Sequence, residues 1–396
     1  MSRTVVLAGA SGYGRGYLRQ LAALEAAGAV RLAGVCEVHP LDDEGRTLVG
    51  DRPVDTDLAR LLDRTGAEIG IVATPIHTHQ ALGRQVLASG AHLLLEKPPT
   101  PTLAGWRELV ELTRSAGLVC QLGFQSLASD ALTRLSALIR EGRLGELRGI
   151  GAYGAWSRTD GYYRRASWAG RREMDGVPVT DGALTNPFAH AVATALVLDG
   201  STGYGDIAAV ELELLRARDI QADDTSCVRL RTVRGTVVTV AVTLCAAVES
   251  EPVLVVHGSR GRAELHYTRD LLVVDGRAEH HGGTTLLENL LAHLDDPEVP
   301  LRSPVDSCGG FMRVLEAVRT APDPVPIDRR WVRRRGEGDA ARAEVAGVED
   351  AVRTSAERLA TFAELGVAWA SQGSAPSPDP SPDPCPVPAP RTGVAG

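Results

Sequence analysis

The run Thr4-Val-Val-Leu-Ala-Gly-Ala-Ser-Gly-Tyr-Gly-Arg15 decides the fold. A short apolar strand, Thr4–Ala8, passes through closely spaced glycines into a helical stretch over 14–27. Gly9 permits a tight turn off the strand, and Gly14 lets the helix start pack close to the sheet. Backbone N–H groups and the helix dipole then face outward, where they suit a pyrophosphate. The spacing departs from Gly-x-Gly-x-x-Gly, because Ser11 takes the middle position with Gly12 beside it. Gly9, Ser11, Gly12, Tyr13 and Gly14 are the expected phosphate contacts, with Arg15 placed to pair with the pyrophosphate. Glu37 closes the second strand, 23 positions past Gly14, where a carboxylate accepts hydrogen bonds from ribose hydroxyls. An anionic Glu37 repels a 2′-phosphate, so NAD is the expected cofactor and NADP the alternative.

Outward from this run, residues 1–124 alternate strands and helices. Strands are expected at 31–36, 69–74, 92–95 and 118–122, with helices near 56–65, 78–89 and 103–116. The strands are continuous apolar runs, as when both sheet faces are covered. The expected fold class is therefore α/β, with an N-terminal doubly wound parallel (Rossmann) sheet. Residues 125–335 read as an α+β domain for substrate and oligomerisation. A helix near 128–141 and a loop-rich stretch precede a helix at 187–198 and alternating strands from 207 to 275. Those strands suggest an open, mostly antiparallel sheet with helices on one face, completed by helices at 284–294 and 308–320. Residues 336–371 carry an amphipathic helix over 348–365. Residues 372–396, rich in Pro, Ser, Ala and Gly, are expected to be disordered.

Composition excludes several classes. A net charge of −8 argues against nonspecific binding to nucleic acid or a membrane surface. No apolar run approaches bilayer length, and the start of the chain lacks a signal-peptide pattern. Six scattered cysteines without a Cys-x-x-Cys pair suggest free thiols, no metal site and a cytoplasmic protein. An open sheet suggests a homodimer or homotetramer.

One basic residue stands apart. Of 42 Lys and Arg, Lys97 is the single lysine, in Leu93-Leu-Leu-Glu-Lys-Pro-Pro99. Guanidinium stays charged, whereas a buried ammonium can be tuned to release a proton near neutrality. Lys97 closes an apolar strand, which suits such a role.

The glycine-rich turn, Ala73-Thr-Pro-Ile-His-Thr-His79, Gly90-Ala-His-Leu-Leu-Leu-Glu-Lys-Pro98, Gly123-Phe-Gln125 and Glu141-Gly-Arg-Leu-Gly145 together resemble the Gfo/Idh/MocA oxidoreductases. The resemblance covers roughly residues 4–330. It implies a Rossmann domain, a second α/β domain, and hydride transfer between NAD(P) and a sugar, polyol or sugar-acid-like alcohol. It also implies that Lys97 is the active-site lysine and that Thr74, Pro75, His77 and Glu96 line the nicotinamide side. Family members carry an Asp and a His four residues apart on a helix. Here the pair reads Asn186-Pro-Phe-Ala-His190, so the His matches and the Asp has become Asn. Spacing of four puts both on one helix face. Asn186 followed by Pro also suits a helix N-cap.

Residues 156–172 hold four of the chain's 16 aromatics and five arginines. Aromatic faces cover sugar C–H surfaces, and arginine forks grip carboxylates or phosphates. Tyr162, Tyr163, Arg164 and Trp168 are the expected substrate contacts, and the arginines suggest an acidic sugar. Two alternatives stand beside the dehydrogenase reading. One is NAD-assisted cleavage of a glycosidic bond through transient oxidation. The other is a non-catalytic dinucleotide-binding sensor or structural protein.

Overall fold

The computed structural model describes residues 2–370. The first sheet holds β1 (Arg3–Ala8), β2 (Val30–Cys36), β3 (Val54–Asp55), β4 (Ile69–Val72), β5 (His92–Leu95) and β6 (Cys120–Leu122). All pairings are parallel, in the order β3-β2-β1-β4-β5-β6. The connecting helices are α1 (Gly14–Ala26), α2 (Asp43–Val49), α3 (Leu58–Thr65), α4 (Ile76–Ala88) and α5 (Leu103–Ser115). This is the doubly wound order, whose switch point lies between β1 and β4. The short helix α2 and the two-residue β3 escape the apolar-run criterion. Asp42 and Asp57 cap α2 and α3, accepting from Gly45 N and Arg60 N.

The chain then forms α6 (Asp130–Arg140), β7 (Leu147–Ser157), α7 (Asp160–Arg164), the small pair β8 (Glu173–Met174) and β9 (Val177–Pro178), and α8 (Ala189–Asp199). Strands β10 (Ile207–Arg216), β11 (Thr225–Thr232), β12 (Val237–Thr243), β13 (Cys245–Gly258), β14 (Arg262–His266), β15 (Leu271–Val274) and β16 (Arg277–His280) follow. Next come α9 (Leu286–Asp295), α10 (Gly309–Thr320) and β17 (Val325–Pro326). The second sheet has nine strands, ordered β16-β15-β14-β13-β7-β12-β11-β10-β17. It is mostly antiparallel, but β7 pairs with β12, and β10 with β17, in parallel.

The central strand β7 lies inside the stretch read from sequence as loop-rich. Its alternation is written in glycine. Ile150 and Ala152 join the core beneath α8, and a Cβ on Gly154 would meet the Phe188 ring at 2.3 Å. Tyr153 and Ala155 face the other way. On that second face a Cβ on Gly149 would meet Leu359 at 2.1 Å, and one on Gly151 would meet Ala356 O at 2.0 Å. The strand is glycine-rich because two layers press on it.

The second layer corrects an expectation. The hairpin β18 (Val332–Arg335) and β19 (Arg342–Val345), with α11 (Val348–Arg358), covers the sheet face opposite α8. The sheet thus carries helices on both faces, with this second layer lying over the central strands β7, β12 and β13 and leaving β16 exposed. The helix also ends earlier than 365. Leu359 is left-handed at φ +53°, and Glu213 of β10 accepts from Phe362 N and Ala363 N, starting a new turn.

Helix α9 packs against the first sheet instead of the second. Leu286, Leu287 and Leu290 join Val5, Leu7 and Leu94 in one core, and Gln121 Nε2 donates to Leu286 O. Trp106 Nε1 donates to Val305 O at 2.8 Å, tying α5 to the approach of α10. Among the described residues no helix is long and apolar enough to cross a membrane. The tail 372–396 lies outside the described residues.

Candidate active site

The site is built where β1, β4 and β5 end. At β1, Gly9 adopts φ +82°, and a Cβ there would meet Ala73 O at 2.5 Å. A Cβ on Gly14 would meet Gly9 O at 1.9 Å. Only glycines let the turn, the end of β4 and the start of α1 converge this closely. Among the described residues, the N–H groups of Ser11, Gly12 and Tyr13 find no partner, and α1 has no side-chain cap. A concave run of unpaired donors at a helix start fits a pyrophosphate. Tyr13 lies exposed beside it, edge-on to Tyr17.

Glu37 borders this cradle. Its Oε2 accepts from Ala10 N at 3.0 Å, and its Oε1 accepts from Val38 N and His39 N. The carboxylate therefore braces the turn at the edge where a ribose would lie. Arg15 Nε donates to Ala10 O at 3.3 Å within the cradle turn. Its guanidinium pairs with Asp42 at 2.7 Å and Glu44 at 3.1 Å at the start of α2.

At the end of β5, the Glu96 carboxylate is only 6% exposed. It accepts from Tyr17 OH at 2.7 Å, Gln125 Nε2 at 2.8 Å and Lys97 N at 3.1 Å. Burial pushes its pKa up, and these donors and the Lys97 charge oppose that rise. Glu96 is thus a bracket joining α1, β5 and the loop after β6. A Cβ on Gly123 would strike it at 2.5 Å.

At the end of β4, Thr74 Oγ1 and Thr78 Oγ1 lie 2.6 Å apart. The buried His79 ring sits between Thr74 O and Pro98 O, 2.7 Å from each. Burial lowers its pKa to about 4, so the ring is neutral and donates to only one of these two carbonyls while packing against the other. His77, from the same turn, has a buried Nδ1 with no partner among the described residues, and burial lowers its pKa.

Lys97 Nζ crosses to the second domain. It donates to Asn186 O at 2.9 Å and to Asn186 Oδ1 at 2.7 Å. Burial lowers its pKa, with Glu96 and Asp181 pulling the other way. Asn186 does not cap α8, because Pro187 and Phe188 extend the turn and the helix starts at Ala189. Its side chain is spent instead on Lys97 and on Asp181, whose Oδ1 accepts from Asn186 Nδ2 at 2.5 Å. Asp181 is 7% exposed and also accepts from Gly170 N at 2.7 Å. His190 is enclosed by Phe124, Tyr267 and Ser126, whose Oγ lies 3.4 Å from Nδ1. Burial, with Lys97 adding, pushes its pKa down to about 3.

The arginine-aromatic loop divides. Arg164 turns away to pair with Asp339, and Tyr163 packs with Arg218, its hydroxyl buried without a partner among the described residues. Arg172 donates to Val318 O, Arg319 O and Ala321 O, closing the end of α10. The site side is formed by Arg165, which lies over Tyr162 at 3.5 Å and over Trp168 at 4.8 Å. Arg158 lies over Trp156 and Tyr162. Trp156 stacks on Phe188 just ahead of α8.

Five contributors are not legible in the sequence: Tyr17, Gln125, Arg158, Asp181 and Arg165. Tyr17 sits at helical spacing on the buried face of α1 and reads as core. Asp181 lies in a loop with no periodicity. Gln125 carries no periodic signal, and Arg158 and Arg165 are indistinguishable in sequence from the other arginines of the 156–172 stretch.

Comparison with known proteins agrees with this layout. The family model described as "Oxidoreductase family, NAD-binding Rossmann fold" matches residues 3–124, and the "GFO/IDH/MocA C-terminal domain" matches residues 132–264. A dTDP-3,4-didehydro-2,6-dideoxy-alpha-D-glucose 3-reductase of Streptomyces antibioticus is 38% identical over 92 residues, 23% of this chain and 28% of the relative. The oxidoreductase YhhX of Escherichia coli K12 is 27% identical over 232 residues, 58% of this chain and 62% of the relative. The chain thus matches less than two thirds of the length of either. The WlbA dehydrogenase of Bordetella pertussis, solved with NADH and UDP-GlcNAcA, shares the fold. Its TM-score is 0.67 at 21% identity, over 83% of this chain and all of that one.

Proposed function

We infer that this chain, which belongs to the GFO/IDH/MocA family of NAD-binding oxidoreductases, moves a hydride to or from a secondary alcohol of a sugar, polyol or sugar acid. The observation that carries this reading is Lys97 Nζ. It is the chain's only lysine, half-buried at the mouth of the parallel sheet and bonded to Asn186 ahead of α8. When bound, NAD supplies the two-electron acceptor or donor. Gly9 to Gly14 and Glu37 hold its phosphates and ribose, and Thr74, Pro75, His77 and Glu96 border its reactive end. In the oxidative direction Lys97 Nζ takes the hydroxyl proton as the C–H bond breaks, and in reduction it returns that proton. His190, neutral across the working range, orients the hydroxyl through a ring nitrogen. Asn186 fixes the position of Lys97.

Arg158 and Arg165 form no ion pair among the described residues, although Arg165 faces Asp181, and both lie on aromatic faces. This supports an acidic or nucleotide-linked sugar as substrate, gripped by the guanidinium forks. Arg165→Ala is expected to raise KM for such a substrate by about tenfold and leave kcat within about twofold. Steady-state kinetics on the acidic sugar beside its neutral analogue separates charge recognition from general damage. Free, buried cysteines support a cytoplasmic location.

The test is to identify the co-purified cofactor by mass spectrometry, then follow NADH over a panel of polyols, sugar acids and nucleotide sugars. Turnover of one class with NAD is the expected result. Bound NAD without turnover on any member would overturn the reading and favour a dinucleotide sensor.

A further inference from the structure

The Asn186 amide is held at both ends. Its oxygen accepts from Lys97 Nζ, and its nitrogen donates to Asp181. An ammonium only donates and a carboxylate only accepts, so a neutral amide satisfies both neighbours in one orientation. A carboxylate at 186 would sit within hydrogen-bond distance of the Asp181 carboxylate, and both could not ionise. The identities at 181 and 186 are therefore linked. Asp181 is itself fixed. Thr180 adopts φ +55°, Asp181 N donates to Arg171 O at 2.8 Å, and Ala183 N donates to the buried Asp223 at 3.0 Å.

We propose that Asp181 is a positioning residue that acts through the Asn186 amide, adding a second negative charge to that of Glu96 in holding the proton on Lys97. The proposal rests on the reading of Lys97 as proton carrier. Other groups face the pair as well. Glu96 precedes Lys97, His79 and neutral His190 lie on its other sides, and Arg165 and Tyr162 face Asp181. Burial raises the Asp181 carboxyl pKa, and Gly170 N–H, Asn186, Arg165 and Lys97 pull it back.

The single lysine makes the test direct. Protein labelled with 13Cε-lysine gives one side-chain signal, and its pH titration reads Lys97 without substrate. Asp181→Asn is expected to move the midpoint down by about one pH unit. The exchange Asp181→Asn with Asn186→Asp puts the carboxylate directly beside Lys97 and is expected to return the midpoint to the wild-type value or above. A midpoint unmoved by Asp181→Asn overturns the proposal. If that variant does not fold, the exchange decides alone, and a midpoint displaced downward overturns the proposal. A chain that shows the shift yet oxidises no sugar keeps the role of Asp181 and loses the proposed reaction.

Discussion

Lys97→Met is expected to lower kcat by about 10²–10⁴, the usual worth of a positioned acid-base group, with NAD affinity little changed. Methionine matches the length of the stem but carries no proton. Lys97→Arg is expected to fall nearly as far, because guanidinium stays charged where the reaction needs a neutral base. Its planar fork also does not match the two acceptors that Asn186 presents. The pH dependence has a definite sign. Burial lowers the Lys97 pKa, so the oxidative rate rises with pH through that lowered value and the reductive rate falls through it. His190 adds no second limb near neutrality, since its pKa lies at about 3. Stopped-flow measurement of NADH formation on preloaded enzyme checks both. Turnover near wild type in Lys97→Met would remove Lys97 from the proton path.

The other large effect is expected at Gly14. A Cβ there would lie 1.9 Å from Gly9 O, a contact with backbone that no rotamer relieves. Gly14→Ala must push the start of α1 away from the turn, at a cost of about 1–3 kcal/mol or more in stability. The displaced N–H groups lose their aim. With two or more charge-assisted bonds weakened, NAD is expected to bind about 100-fold less tightly. Gly16 is the internal control, since a Cβ at that helical position meets nothing within 4 Å. Gly16→Ala is expected to bind NAD normally and gain about 0.5–1 kcal/mol. Calorimetric titration with NAD and thermal melts read both variants. Equal affinity in the two would show that the cradle does not hold the phosphates.

How far this protein is legible in its sequence depends on how local each feature is. The strand-turn-helix over Thr4–Arg15 is local, because the turn needs glycine for its own backbone and the strands need apolar runs for their own two faces. Lys97 is legible for a related reason, as one lysine among arginines at a strand end marks chemistry that arginine cannot perform. The departure at 186 is legible as a letter, but its meaning is not. The sequence shows an amide where a carboxylate was expected. Only the fold brings Asp181 to the far side of that amide, five residues upstream in a loop without periodicity.

The second domain is less legible because its signals are packing signals. Gly149, Gly151 and Gly154 look like loop residues until α11 and Phe188 are seen filling the space beside them. Helix α9 has an apolar face whichever sheet it joins, and the pattern cannot say which. Arg164 and Arg165 are adjacent and chemically identical. Asp339, 175 positions away, draws one of them off to the surface.

The sequence by itself determined the doubly wound first domain, the phosphate cradle and the solitary lysine, because each is written in neighbours along the chain. Tertiary structure alone decided what covers the second sheet, which loop arginine faces the site, and where the second charge near Lys97 comes from. Those depend on contacts between residues far apart in the chain, and side-chain periodicity carries no record of a distant partner.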